Sequence, residues 1–117
     1  MKEFIFLFRM DITTKEVQPT REQMKTYMDQ WQQWISGIDS DGQLAEGGNH
    51  LSRQGRVLKP HDEVIDTPYI AKNNSVAGYI IVLAENMDEA TKIAMGCPIL
   101  TGQNTSVEIR ETAAPGE

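Results

Sequence analysis

A single cysteine, Cys97, excludes an internal disulfide and fits a reducing compartment. Basic residues are also few: 11 Lys and Arg stand against 17 Asp and Glu, a formal charge of −6. No basic cluster exists to neutralise phosphates, which argues against a nucleic-acid or anionic-membrane partner and leaves room only for a local basic pocket. Long apolar runs are missing. Phe4–Phe8, between Glu3 and Arg9, falls short of the roughly 7–15 residues of an export signal. Nothing approaches the roughly 18 of a membrane span, so the expected location is cytoplasmic. The only imidazoles, His50 and His61, lack metal-ligand spacing, and no metal site is expected. No phosphate loop, dinucleotide fingerprint or Ser–His–Asp arrangement occurs, and no cofactor is implied.

What is present suits one domain of 117 residues. Phe4–Phe8 reads as a short strand apolar on both faces. Thr20 and Gln23 have capping-box spacing, with Pro19 just outside. Met24, Tyr27, Met28, Trp31, Trp34, Ile35 and Ile38 follow at steps of three and four, a helical stripe that Gly37–Gly42 ends. Gln43–Glu46 suggests a short strand, and Gly47-Gly48-Asn49 a turn or bulge. Arg56–Lys59 and Glu63–Asp66 flank Pro60-His61-Asp62 as a hairpin, and Lys72–Ser75 reads as a polar loop. Ala77–Ala84 is a second strand apolar on both faces. Asn86 and Glu89 cap a helix with Ala90, Ile93 and Ala94 inward, stopped by Gly96 and Pro98. Ser106–Arg110 alternates as an edge strand with one wet face. The tail from Thr112 to Glu117 reads as frayed, which puts the domain at residues 1–111.

Strand, helix, strand, hairpin, strand, helix, strand is the order of a split βαβ, or ferredoxin-like, α+β fold with a hairpin insertion. In it the first and third core strands are central, matching the two segments apolar on both faces. Right-handed crossovers put both helices on one side. The other side is left open, and a homodimer through that face is the simple way to cover it.

Four segments in order, "VIDTPY" (Val64–Tyr69), "GYIIV" (Gly78–Val82), "MDEATKIAMGCP" (Met87–Pro98) and "SVEIR" (Ser106–Arg110), resemble the YCII-related proteins, in the branch named for an Asp-Gly-Pro-Phe (DGPF) motif. The resemblance spans roughly residues 1–111. It implies a ferredoxin-like, usually dimeric domain with a cleft. Some relatives act on small hydroxylated aromatic compounds; others in the branch are associated with alternative sigma factors. The chain departs from the family at telling places. The motif is Asp66-Thr67-Pro68-Tyr69, the acidic-basic-acidic segment after it is Lys72-Asn73-Asn74, and the histidine expected early in the first helix is absent among Gln23, Met24 and Lys25.

Asp66 is the foremost candidate, as a general base or ligand-orienting carboxylate, against the alternative of a turn former ahead of Pro68. His50, beyond Gly47-Gly48-Asn49, is the second catalytic candidate. Tyr69 and Tyr79 offer phenol groups to a ligand or simply pack. Arg9 binds a carboxylate ligand or pairs with an acidic neighbour. Trp31 and Trp34 line a pocket or the core, and Cys97, at a helix C-terminus, makes a poor nucleophile. Two functions fit. One is an enzyme-like domain that binds a small organic molecule in a cleft, a hydroxylated aromatic one as the resemblance implies, with Asp66 and His50 or Tyr69 moving protons. The other is a non-catalytic ligand-binding or regulatory module, as the sigma-factor-associated relatives suggest.

Overall fold

Phe4, Phe6 and Phe8 point to one side of an extended chain, and all three are buried. In the computed structural model, which describes residues 1–116, they belong to β1 (Lys2–Asp11). A short 3-10 turn (Lys15–Val17) leads into α1 (Arg21–Ser40). Then come β2 (Leu44–His50), β3 (Val57–Lys59), β4 (Glu63–Ile65), β5 (Asn74–Ala84), α2 (Met87–Met95) and β6 (Ser106–Glu111). The protein is a mixed α+β structure with two helices and an antiparallel sheet ordered β2-β5-β1-β6. β3 and β4 pair only with each other, Leu58 opposite Val64.

The two strands apolar on both faces are the two central ones. Phe4 pairs with Val82, Phe6 with Ile80 and Ile109, and Phe8 with Gly78 and Val107. Cross-strand partners share a face, so these residues form one wall, and both helices lie on it. α1 begins as its capping box requires: Thr20 Oγ1 accepts the Gln23 N–H at 3.1 Å, and Gln23 Oε1 accepts the Thr20 N–H at 2.8 Å. Trp31 and Ile38 are buried against the wall, and the Trp31 indole meets Phe8 edge-on at 4.7 Å between centroids. Trp34 Nε1 donates to the Ile93 carbonyl at 3.1 Å and so ties α1 to α2. α2 starts at Asn86, whose side chain accepts the Glu89 N–H at 2.8 Å, and its small residues Ala90 and Ala94 let it lie close on the sheet.

The opposite face carries Ile5 and Leu7 against Ile81 and Tyr79, with Leu83 beyond; all five are only partly buried. Among the described residues no helix covers them. Among the described residues no helix is long and apolar enough to cross a membrane.

Three expectations are revised. β2 does not end at Glu46 but runs on to His50, and of the two alternatives for Gly47-Gly48-Asn49 the bulge is the one formed, the register with β5 breaking between Glu46 and Asn49. Lys72–Ser75 is not a loop. Lys72 and Asn73, both at positive φ (52° and 70°), make a two-residue turn closed by the Ala71–Asn74 pair, and Asn74 and Ser75 already belong to β5. Met24 is 41% exposed rather than inward, because the sheet beneath that end of α1 carries small residues and the helix does not close on it.

Candidate functional site

The apolar stripe of α1 continues past the core at its N-terminal end, where Met24, Tyr27 and Met28 overhang β5. Opposite them β5 supplies only Ala77 and Gly78, and the register with β1 slips there, between Phe8 and Arg9. Large residues above small ones leave a gap. It is a cavity of about 230 Å³, walled by Phe8, Met10, Met28, Trp31 and Ile99 as well, with His50 at its border. His50, the last residue of β2, stands edge-on to Trp31 at 6.0 Å between centroids.

One polar atom faces no partner. The Tyr27 hydroxyl is buried without an adequate hydrogen bond among the described residues. Burial raises its pKa, with the Trp31 indole beside it opposing. A buried donor left unmade is costly.

The slot extends outward past Met10, Met24 and His50 into a space of about 210 Å³ bordered by Leu51, Ser52, Arg53 and Pro68. On the far side of Tyr27 lies a more polar recess of about 380 Å³, with Gln18, Gln23, Thr101 and Thr105. Asp11 borders both. It is 7% exposed, and its Oδ1 accepts the N–H groups of Thr14 at 2.7 Å and Thr13 at 2.9 Å. The Thr14 N–H, with the smaller effect of Thr13, outweighs burial and holds the carboxyl at about 2. A depressed carboxyl pKa contributes stability above its unfolded value and loses it as pH falls through the folded one. Urea unfolding should therefore show Asp11→Asn less stable at neutral pH, with a shallower decline than wild type from about pH 4 to about pH 2. Parallel declines in the two proteins would remove Asp11 from the acid response.

The residues singled out from sequence are dispersed. His50 borders the slot. Tyr79 shares with it a recess of about 170 Å³ at the Gly48 bulge, while the Tyr79 hydroxyl donates to Glu46 Oε1 at 3.1 Å. Asp66 lies elsewhere, in a broad open cleft near Arg53 and Pro68, with an 81% exposed side chain paired to Arg56 Nε at 2.8 Å. Tyr69 is 66% exposed; its backbone carbonyl accepts from the Ser75 hydroxyl. Arg9 is paired through Nη2 with Glu108 Oε1 at 3.0 Å, and hydrogen bonds from Arg9 and then Arg110 hold the Glu108 carboxyl below its usual range. Cys97 is buried, and burial pushes its thiol up to about 12, so it stays protonated at neutral pH. No three His, Cys, Asp or Glu side chains gather in a metal-holding group among the described residues.

No family model matches the chain, and no curated protein matches it. The cavity beneath α1 is therefore read on its own geometry. Sequence reasoning passed over Asp11, Tyr27 as a polar group, and Arg53. Asp11 had a signal: Asp-Ile-Thr-Thr after an apolar strand is the pattern of a side chain folding back on the next backbone N–H groups. Tyr27 and Arg53 had none.

Proposed function

We propose that this chain is a YCII-related protein of ferredoxin-like architecture. In this reading it pairs with a second copy through the open face of its sheet and binds a small, one-ring organic molecule in the slot beneath α1. The observation that carries the binding reading is an apolar cavity of about 230 Å³ lined by Tyr27, whose buried hydroxyl has no hydrogen-bond partner among the described residues. A dry cavity of about 150 Å³ is enough to hold benzene, so the size suits a ring with one or two substituents. The Tyr27 hydroxyl favours a substituent that donates or accepts a hydrogen bond, as a phenol does. The strand order β2-β5-β1-β6, with both helices on one face, supports the fold assignment, and the partly buried Ile5, Leu7, Tyr79, Ile81 and Leu83 support the pairing.

Binding is preferred to proton chemistry by an Asp66–His50 pair. The two border different recesses, and Asp66 is already engaged by Arg56 in an exposed pair. A general base has to be within hydrogen-bond reach of the group it serves.

Thermal-shift and calorimetric titration with simple phenols test the slot, with Tyr27→Phe beside wild type. Removing a buried hydroxyl that has no partner should leave the free protein equally stable or up to about 1–3 kcal/mol more stable. The same change should weaken phenol binding roughly tenfold, about 1.4 kcal/mol. Opposite signs on stability and affinity are the signature. Equal affinity in both proteins would take Tyr27 out of the site, and no phenol binding at all would remove the slot as a binding site.

A further inference from the structure

Resting on that reading, we infer that the ligand is an aromatic monocarboxylate, with Arg53 at the slot's outer end as the residue that reads its carboxylate. The argument begins with charge. Acidic residues outnumber basic ones 17 to 11, so most arginines should find a carboxylate. Arg9 and Arg110 share Glu108 at 3.0 and 3.3 Å, and Arg56 holds Asp66 at 2.8 Å. Arg53 and Arg21 have no carboxylate partner among the described residues, and of the two only Arg53 borders the slot. The Arg53 Nη2 donates instead to a neutral acceptor, Gln18 Oε1.

Gln18 is fixed for this task. Its Nε2 donates to the Asp11 carbonyl at 2.8 Å and the Thr14 carbonyl at 3.2 Å, so its amide oxygen is the atom left for Arg53. A guanidinium carries five N–H donors in a planar fork, and one bond to Gln18 leaves an edge able to take a carboxylate bidentately. An arginine oriented by a neutral acceptor keeps its full charge for a ligand, whereas an ion pair with a resident carboxylate would spend it.

Placement supplies the second half. Arg53 borders the outer part of the slot together with His50, Met10 and Met24, and the last three also border the apolar inner part. A ring seated under Trp31 would thus have an apolar bed at one end and one free cation at the other. Asp11 borders the same outer space, but its Oδ1 is taken by the Thr13 and Thr14 N–H groups and its Oδ2 faces Asn104 Nδ2 at 3.5 Å. Its negative charge directs an anion to the Arg53 side. In a chain of net charge −6, an anionic ligand needs such a local cation.

The test compares 4-hydroxybenzoate with its neutral amide, 4-hydroxybenzamide, by calorimetry on wild type, Arg53→Gln and Arg53→Lys, each checked for wild-type melting. Wild type should prefer the carboxylate by about tenfold or more at low salt, an advantage reduced as salt rises. Arg53→Gln should abolish the preference while keeping affinity for the amide. Arg53→Lys, a point charge without the planar fork, should restore only part of it. Equal affinities in wild type, or a preference that survives Arg53→Gln, would overturn the role of Arg53 and leave the slot standing. No binding of either compound to wild type would remove the slot, and this inference with it.

Discussion

On the proposed pairing, replacing Ile81 by glutamate should turn the dimer into a folded monomer. Ile81 sits at the middle of the open face, paired with Ile5 on β1 and Glu46 on β2, with Tyr79 and Leu83 on the same side of its own strand. In a single chain it is partly buried and stands opposite Glu46, so a glutamate there should cost the monomer about 1–2 kcal/mol, short of unfolding it. In a two-fold dimer the same substitution enters the interface twice. Each carboxylate must be desolvated against apolar side chains. A loss of about 4 kcal/mol, roughly a thousandfold in the dissociation constant, is a modest expectation. Sedimentation equilibrium reads it directly.

Leu58→Glu is the control. Leu58 is 73% exposed on the β3–β4 hairpin, another place where large apolar side chains, Val64 with it, are left uncovered. If Leu58→Glu dissociates the protein and Ile81→Glu does not, the hairpin forms the interface rather than the sheet. A wild-type monomer at micromolar concentration would end the dimer proposal.

The sheet was legible in the sequence because its signals are local and redundant. Phe4, Phe6 and Phe8 alternate with Ile5 and Leu7, and a strand apolar on both faces belongs in the middle of a sheet. The edge strand announced itself through Glu108 and Arg110. Helix starts were equally plain, since a capping box needs only Thr20 and Gln23 three residues apart. The hairpin followed from its polar turn, although its strands are a residue or so shorter than the apolar pattern suggested.

The slot was not legible, and the reason is geometric. Helical periodicity says which face of α1 turns toward the sheet; it does not say how closely the helix approaches. Met24, Tyr27 and Met28 carry the same spacing as Trp31 and Ile38, yet the first three overhang a gap while the last two are core. The difference is made by Ala77 and Gly78, on a strand some fifty residues later, one carrying a single methyl and the other no side chain to reach into the space. Asp66 drew attention for the opposite reason. A carboxylate before Thr-Pro in a recognisable motif looks chemical, but its surroundings, an exposed pair with Arg56 on a projecting hairpin, are set by tertiary placement.

The bulge in β2 shapes the site most directly, and Gly48→Ala should be among the most damaging single substitutions outside the aromatic core. Gly48 has φ of +65°, and a Cβ there would lie 1.6 Å from the Tyr79 carbonyl oxygen and 2.6 Å from its carbon. The left-handed backbone costs an L-residue about 1–2 kcal/mol, and moving a packed strand off its neighbour adds about 1–3. A total on the order of 2–5 kcal/mol should lower the melting temperature by roughly ten degrees or more. Gly47→Ala is the matched comparison, because a Cβ at Gly47 meets nothing within 4 Å, and it should melt near wild type. Gly48→Asn separates the two causes. Asparagine tolerates positive φ but still brings a Cβ to the Tyr79 oxygen, so if space is decisive it should be nearly as damaging as alanine. If Gly48→Asn melts near wild type, backbone freedom is the requirement and the close approach of β2 to β5 is not. The same strand carries His50 to the slot two residues on, so a displaced β2 should also weaken phenol binding, while Gly47→Ala retains it.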